Sequence, residues 1–162
     1  MLTYIYFSFT IAFSQFSLNE WGSITSLLTP NKVEISDDAY IYSATSGGLL
    51  QFDMQTKMFY AINMEEGLVY LDLIDLKIDS YGNIWLAGSY PNGLLQVYRP
   101  NVGIVKIIDH LEISEIKFLE IGSYKAYVAY SGLKSNEIGI LEFEIDENGL
   151  PLYKDYFVNF LS

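Results

Sequence analysis

The sequence contains no cysteine, a single histidine and only nine lysine and arginine residues among its 162 residues. The lack of cysteine excludes disulfides, thiolate metal sites and thiol nucleophiles. Twenty acidic residues leave a formal net charge of −11, and the nine cations are scattered singly along the chain. Nucleic acid and anionic lipid are both bound through clustered lysine and arginine. We therefore expect neither of them as a partner.

Candidate catalytic residues are equally scarce. His110 is the only histidine, and it follows a predicted strand without a cysteine, serine or paired carboxylate at a recognisable catalytic spacing. General acid–base and nucleophilic catalysis both need such a second group close to the first. The sequence therefore predicts no catalytic residue and no bound cofactor.

The densest acidic stretch lies in the connection between the first two of the repeats described below. Oxygen ligands of this kind suit Ca²⁺, but the order lacks an alternating Asp/Asn–Gly loop that ends in Glu. A solvated acidic connection is therefore the favoured interpretation, and no metal site is predicted. The five carboxylates are Glu65, Glu66, Asp72, Asp75 and Asp79.

Apolar residues make up 51% of the chain and aromatic residues 16%, which is enough for one domain with a hydrophobic core. Short runs of Tyr, Phe, Ile, Leu and Val are interrupted by Gly, Asn and Asp, a pattern that favours β-strands. No apolar stripe at helical spacing is capped at both ends. We predict an all-β fold.

The first fourteen residues, MLTYIYFSFTIAFS, are apolar and aromatic and end in small residues at Ala12 and Ser14. This spacing is typical of a signal-peptide cleavage site, and the run is too short to span a bilayer. We predict a signal peptide over residues 1–14 and no membrane insertion of the mature chain. A first β-strand rich in aromatic residues is the alternative, because no lysine or arginine precedes the apolar run.

Two segments of the chain repeat one pattern, and a third resembles them more weakly. ISDDAYIYSATSGGLLQF begins at Ile35, and IDSYGNIWLAGSYPNGLLQVY begins at Ile78, which is 43 residues later. Tyr42 then aligns with Trp85, and Tyr127 takes the corresponding place in the weaker copy. The glycines aligned in this way are Gly48, Gly93 and Gly139. A period of about 40 to 50 residues made of short strands is typical of β-propeller blades, which are four-stranded antiparallel sheets.

The second copy contains four predicted strands with turns between them. The strands run over residues 75–78, 84–88, 93–98 and 104–108. Gly82 and Asn83 accept the positive φ that a tight hairpin turn requires, and Pro91-Asn92-Gly93 forms the next turn. We predict three antiparallel blades of this kind, over residues 32–70, 73–110 and 114–160.

The second strand of each of the first two repeats, YIYSA or IWLAG, is apolar on successive residues, so both of its faces require cover. Stacked blades cover both faces. We predict that Tyr42, Trp85 and Tyr127 fill the wide gaps between blades, where buried aromatic rings stabilise the stack. The small residues that would let blades approach closely are Ala44, Ala87 and Ala129.

Three blades do not close a ring, because propellers have about four to eight. The preceding segment, residues 16–28, has strand-like composition without a blade of its own, and in a complete propeller such a strand joins the last blade. We therefore interpret residues 15–162 as part of a longer propeller whose remaining blades are partners of this chain. Closure by oligomerisation is the alternative.

The second repeat resembles the two-component-regulator propeller repeat, which has an Asp-x-x-Gly-Asn-Ile-Trp-Leu core followed by a Gly-Leu pair and a tyrosine. The matching residues are Asp79, Gly82, Asn83, Ile84, Trp85, Leu86, Gly93, Leu94 and Tyr98. A signal-like start, a strand with Trp21 and then ATSGGLL are together similar to the N-terminal propeller of PorZ-like proteins of the bacterial type IX secretion system. The resemblance covers roughly residues 21–157 and is weak in the third copy, where no Gly-Asn turn precedes Tyr127.

This resemblance implies export to the periplasm or cell surface, or secretion, and recognition of a glycan or a protein. Relatives sense glycans ahead of a histidine kinase or take part in attaching secreted proteins at the surface. A non-enzymatic recognition module is therefore the favoured interpretation, although propellers host many functions. The alternatives are a metal-dependent propeller enzyme of lactonase or lyase type, disfavoured because the matched positions are mostly Ile, Ala and Ser, and a purely structural segment.

Two tyrosines in predicted turns, Tyr81 and Tyr90, are the candidate partner-binding residues. Tyrosine supplies contact area and a hydroxyl at a small entropic cost, and its ring stacks on sugars. The chain has fourteen tyrosines, so a tyrosine in a turn is also expected without any binding role. The hypothesis is that these two side chains contact the ligand.

Overall fold

The structure is a computed structural model that describes residue 27 and residues 29–89, 91–109, 111–134 and 137–160. All regular structure in these ranges is β-strand, and they include no helix long and apolar enough to cross a membrane. The predicted signal peptide, most of segment 16–28, Tyr90 and His110 lie outside these ranges.

The described strands form three four-stranded antiparallel sheets, each with its strands in chain order. The first sheet contains β1 (Pro30–Ile35), β2 (Tyr40–Thr45), β3 (Gly48–Asp53) and β4 (Phe59–Ile62). The second contains β5 (Leu73–Ile78), β6 (Ile84–Gly88), β7 (Leu94–Arg99) and β8 (Gly103–Ile108). The third contains β9 (Ile113–Ile121), β10 (Lys125–Gly132), β11 (Glu137–Ile145) and β12 (Pro151–Phe160). The predicted all-β fold with three four-stranded antiparallel sheets is confirmed.

The strands of the second sheet lie within two residues of their predicted positions. β6 covers the predicted residues 84–88, whereas β5 begins two residues earlier than predicted. The turn between them is tight because the Gly82 N–H donates to the Asp79 carbonyl at 3.0 Å. Gly82 has a φ of 76°, the left-handed conformation that glycine adopts without strain.

Corresponding residues occupy the same register in all three sheets. In each sheet, the aromatic residue of the second strand lies opposite a charged residue of the first strand. The alanine two positions after that aromatic residue also pairs with a residue of the first strand. The aromatic pairs are Glu34 with Tyr42, Lys77 with Trp85, and Glu120 with Tyr127. The small-residue pairs are Lys32 with Ala44, Asp75 with Ala87, and Phe118 with Ala129. The three sheets are therefore built alike at the level of single residues.

The strand pairing shows that one of the three aligned glycines, Gly93, is not at the position predicted for it. Gly48 pairs with Thr45 and Gly139 pairs with Tyr130, but the same place in the second sheet is taken by Leu94. Gly93 lies one residue earlier, because the connection between β6 and β7 is three residues longer than the one between β2 and β3. A Cβ on Gly93 would lie 2.6 Å from Ile113 Cγ1, so this glycine permits close approach of the third sheet.

The sheets stack in chain order around two apolar layers. Between the first and second sheets, Tyr42, Ala44 and Leu49 pack with buried residues of β5 and β6. Between the second and third sheets, Trp85 and Ala87 pack with buried residues of β9, β10 and β11. The first strands of neighbouring sheets, β1 with β5 and β5 with β9, lie side by side along one edge of the stack.

Tyr42 and Trp85 are 2% and 0% exposed, as expected for residues between sheets. Tyr127, by contrast, is 38% exposed, so it does not fill a gap between two described sheets. Its neighbours Ala126 and Val128 are the residues buried against the second sheet. Since successive side chains of a strand point to opposite faces, Tyr127 lies on the face of the third sheet that no described sheet covers.

Candidate functional site

The turn that carries Tyr81 is built around the buried carboxylate of Asp79. Its Oδ1 accepts hydrogen bonds from the backbone N–H of Tyr81 at 2.8 Å and of Asn83 at 2.9 Å. Its Oδ2 accepts from Asn83 Nδ2 and from Trp85 Nε1, both at 2.9 Å. Hydrogen bonds from several donors satisfy a buried carboxylate and fix the groups around it. The backbone of Tyr81 is therefore held in a rigid turn.

The same turn is tied to the third sheet by side-chain amide and guanidinium groups. Asn83 Nδ2 donates to the Gly149 carbonyl at 3.0 Å. Arg99 Nε donates to Asn83 Oδ1 at 2.8 Å, and Arg99 Nη2 donates to the Asn148 carbonyl at 2.7 Å. The β5–β6 turn and the β11–β12 turn consequently form one connected surface.

The β11–β12 turn is itself ordered by Asp146. The Asp146 Oδ1 accepts from the backbone N–H groups of Asn148 and Leu150, both at 2.8 Å. The hydrogen bond from Leu150 is the largest cause that lowers the pKa of Asp146 below 3.8, because the donors favour the charged carboxylate. The Ile145 N–H donates to the Tyr124 carbonyl at 2.9 Å, which places the β9–β10 turn beside this one.

We call the resulting surface the tyrosine edge, and define it by Tyr81, Tyr124 and the turn 146–149 that lies between them. The side chains of Tyr81 and Tyr124 are 47% and 75% exposed. A Cβ on Gly149 would lie 2.9 Å from Tyr81 Cγ, so the ring of Tyr81 rests directly on this turn. Two exposed phenol rings held by rigid turns can stack on a sugar or pack against a protein, and their hydroxyls can form hydrogen bonds.

The sequence prediction placed Tyr81 in this surface but missed Tyr124. The available signal was that the first turn of the second and of the third repeat each contains a tyrosine. The other predicted residue, Tyr90, lies outside the described residues.

The five carboxylates of the acidic connection do not come together. Asp79 lies inside its turn, and Asp75 Oδ2 accepts from the Leu119 N–H at 2.8 Å between the second and third sheets. Glu66 Oε2 instead accepts from the Asn63 N–H at 2.9 Å. Within residues 29–160, as far as they are described, no three His, Asp or Glu side chains are grouped as metal ligands. Asp75 and Asp79 thus hold backbone and turn geometry.

A cavity of about 730 Å³ lies between β8 and the third sheet. It is lined by aliphatic residues together with Lys106, Glu112, Glu137 and two tyrosines, Tyr130 and Tyr153. Small-molecule sites combine apolar walls with a few polar groups in this way. The sequence did not indicate this cavity, and its lining does not include Tyr81 or Tyr124.

No protein-family model matches this sequence, and no curated protein matches it. The residues named above are therefore assigned from their geometry alone. The resemblance to propeller repeats remains an expectation from the sequence.

Proposed function

We propose that this chain is part of a non-enzymatic β-propeller recognition module, exported to the bacterial periplasm or cell surface, whose tyrosine edge binds a glycan or a protein. The support for a propeller is the stacking of three sheets in one direction with the same register in each. The likeness of its repeats to two-component-regulator propellers and to PorZ-like proteins supports export and a connection to type IX secretion.

The tyrosine edge is the observation on which the recognition role depends. An exposed tyrosine in a mobile turn loses conformational entropy when it binds, whereas a tyrosine on a fixed turn loses less. The hydrogen bonds of Asp79 and Asn83 fix the turn of Tyr81 from two sheets at once. Such pre-organisation is expected of a binding surface.

The test is ligand binding by the wild-type chain and by a double variant, Tyr81→Ala with Tyr124→Ala. A glycan array and a panel of secreted proteins from a type IX-secreting bacterium serve as probes, and binding is measured by biolayer interferometry. We expect the double variant to lose at least about tenfold in affinity, which is about 1.4 kcal/mol. Retention of full affinity by the double variant would contradict the proposal.

Tyr60→Ala is the matched control, because Tyr60 is a tyrosine of the edge strand β4 and is 49% exposed. We expect this variant to bind as the wild type does. The enzyme alternative predicts one stoichiometric metal ion in the purified protein. Elemental analysis distinguishes it, since a recognition module of the proposed kind needs no resident ion.

A further inference from the structure

The face of the third sheet that points away from the second sheet carries large apolar side chains, and no described sheet covers it. We call it the outer face and define it by Phe118, Tyr127, Ile138, Ile140 and Phe157. Their side chains are 71%, 38%, 43%, 43% and 54% exposed. A shallow groove of about 450 Å³ runs across this face, between β9 and β12. Contiguous exposed apolar side chains of this kind mark interaction surfaces.

The outer face carries the residue pattern that receives a sheet elsewhere in the molecule. Tyr127 takes the register position of Tyr42 and Trp85, each of which lies against the following sheet. Ala129 likewise takes the position of Ala44 and Ala87. The corresponding faces of the first and second sheets are each covered by the next sheet. The outer face of the third sheet has the same pattern, so it is suited to receive another sheet.

The first strands add a row of charges with alternating sign. Glu34, Lys77 and Glu120 occupy one register position on β1, β5 and β9. Lys77 Nζ lies 3.0 Å from Glu34 Oε1 and 3.3 Å from Glu120 Oε2, so the lysine links all three sheets. Glu120 is at the end of the row with its side chain 72% exposed. A following strand would complete the alternation by placing a cation there.

Two further ion pairs of this sheet lie away from its first strand. Lys125 Nζ lies 2.6 Å from Glu142 Oε1, and Lys154 Nζ lies 3.1 Å from Glu144 Oε1. These residues belong to β10, β11 and β12. Glu120 lies on the first strand, at the register position of Glu34 and Lys77, so it is the residue that an incoming first strand would meet.

We propose that the outer face docks a further four-stranded sheet of different sequence, whose first strand carries a lysine or arginine opposite Glu120. This inference rests on the stacked-sheet architecture of the proposed function. Charge disfavours a second copy of this chain as the occupant. Its first sheet would bring Glu34 against Glu120, and like charges in contact are unfavourable.

The first test changes the charge that selects the occupant. In Glu120→Lys the outer face presents a cation, which complements Glu34 on the first sheet of another copy. We expect the wild type to stay monomeric in sedimentation velocity, and this variant to self-associate at least tenfold more tightly, with the association weakened by salt. A wild type that self-associates as tightly as the variant, or a variant that stays monomeric, would overturn the proposal.

Two control variants separate this charge effect from general ones. Glu65→Lys makes the same change of charge at an exposed residue away from the third sheet and from the tyrosine edge, and we expect it to stay monomeric. Glu120→Gln removes the repulsion without adding an attraction, so its association should lie between that of the wild type and that of Glu120→Lys. Self-association of Glu65→Lys equal to that of Glu120→Lys would contradict a role of the outer face.

The second test supplies a sheet with the required cation. Residues 70–108 are appended after residue 162 of the full chain, so that a second β5 brings its lysine opposite Glu120. We expect Tm to rise by about 5 °C or more and hydrophobic-dye fluorescence to fall. Lys77→Glu in the appended copy should cancel both changes. An unchanged Tm with the unaltered copy would contradict the proposal. Ligand binding at the tyrosine edge is measured separately, so either proposal can fail alone.

Discussion

The second and third sheets have the same strand order and register but differ in how they are covered. All five residues of β6 are buried, whereas β10 alternates between buried residues and more exposed ones. Trp85 and Tyr127 occupy equivalent places, yet one is fully buried and the other is 38% exposed. The second sheet has a neighbour on both faces, and the third has one described neighbour.

This comparison shows that the exposure of a side chain in a stack of similar sheets depends first on whether a neighbouring sheet covers it. The type of residue at that position matters less. The third sheet keeps large apolar residues on its outer face, including Phe118 and Phe157. An antiparallel sheet with one solvated face normally alternates apolar and polar residues. The part of the outer face formed by Phe118, Ile138, Ile140 and Phe157 departs from this alternation, as expected of a sheet with two neighbours.

The largest effect that tests this comparison is truncation of the two equivalent aromatic residues. Trp85→Ala removes a fully buried ring and leaves the Asp79 carboxylate without one of its donors. We expect a loss of about 3–5 kcal/mol in the free energy of unfolding. Tyr127→Ala should cost less than about 1 kcal/mol, because its ring is partly solvated. Urea denaturation followed by circular dichroism measures both losses.

The two variants control for each other, since each removes an aromatic ring from the second strand of its sheet. Equal losses would show that Tyr127 is covered as Trp85 is, and the comparison between the two sheets would fail.

The fold could be predicted where local sequence decides it. Gly82 takes the positive φ that the turn needs, whereas Asn83 does not. The strands on either side follow from short apolar runs bounded by turn residues. The burial of Tyr127 could not be predicted, because it depends on a neighbouring sheet and not on the residues around it. Gly93 was predicted to occupy the position of Gly48 and Gly139, but it lies one residue earlier. The reason is that the length of the connection varies between corresponding hairpins.

The tyrosine edge could be predicted only in part. Tyr81 was found from its turn, but its contact with the β11–β12 turn joins residues far apart in the chain, which no local pattern reveals. The row of Glu34, Lys77 and Glu120 was open to prediction, since these residues lie 43 apart and alternate in sign. These charged residues lie between the apolar residues that mark the repeat.

A smaller effect is expected from the ionisation of Tyr42, which lies between the first and second sheets. Burial is the main cause that raises the pKa of its phenol from 10.0 to about 12. The pKa of Tyr42 is higher in the folded state than in the unfolded state. The stability that the neutral phenol contributes is therefore fully present below pH 10, and it is lost as the pH rises towards 12. Two pKa units correspond to about 2–3 kcal/mol.

Stability measured by urea denaturation at several pH values between 9 and 12 tests this expectation for Tyr42. Tyr42→Phe is the control, because phenylalanine keeps the ring and does not titrate. Its loss of stability over this range should be smaller, with the remainder due to other tyrosines such as Tyr98, whose pKa is raised mainly by burial. The same alkaline slope in both proteins would contradict the assignment.

The smallest expected effect is the loss of one of the two ion pairs of Lys77. Its partner Glu34 is partly buried, whereas its partner Glu120 is at the exposed end of the row. The hydrogen bond to Glu34 is the largest cause that raises the pKa of Lys77, and the contribution of Glu120 is smaller. The side chain of Glu34 is 28% exposed and that of Glu120 is 72% exposed. Exposed ion pairs contribute about 0.2–1 kcal/mol.

Glu34→Gln should therefore lower the free energy of unfolding by about 0.5–1 kcal/mol, and Glu120→Gln by less than about 0.3 kcal/mol. Urea denaturation in a double-mutant cycle with Lys77→Met isolates each pair from other effects of the substitutions. In 1 M salt both coupling energies should shrink, because exposed charges are screened. If Glu120→Gln instead proved the more costly change, the third sheet would already have a partner that encloses Glu120, and the outer face would not be open.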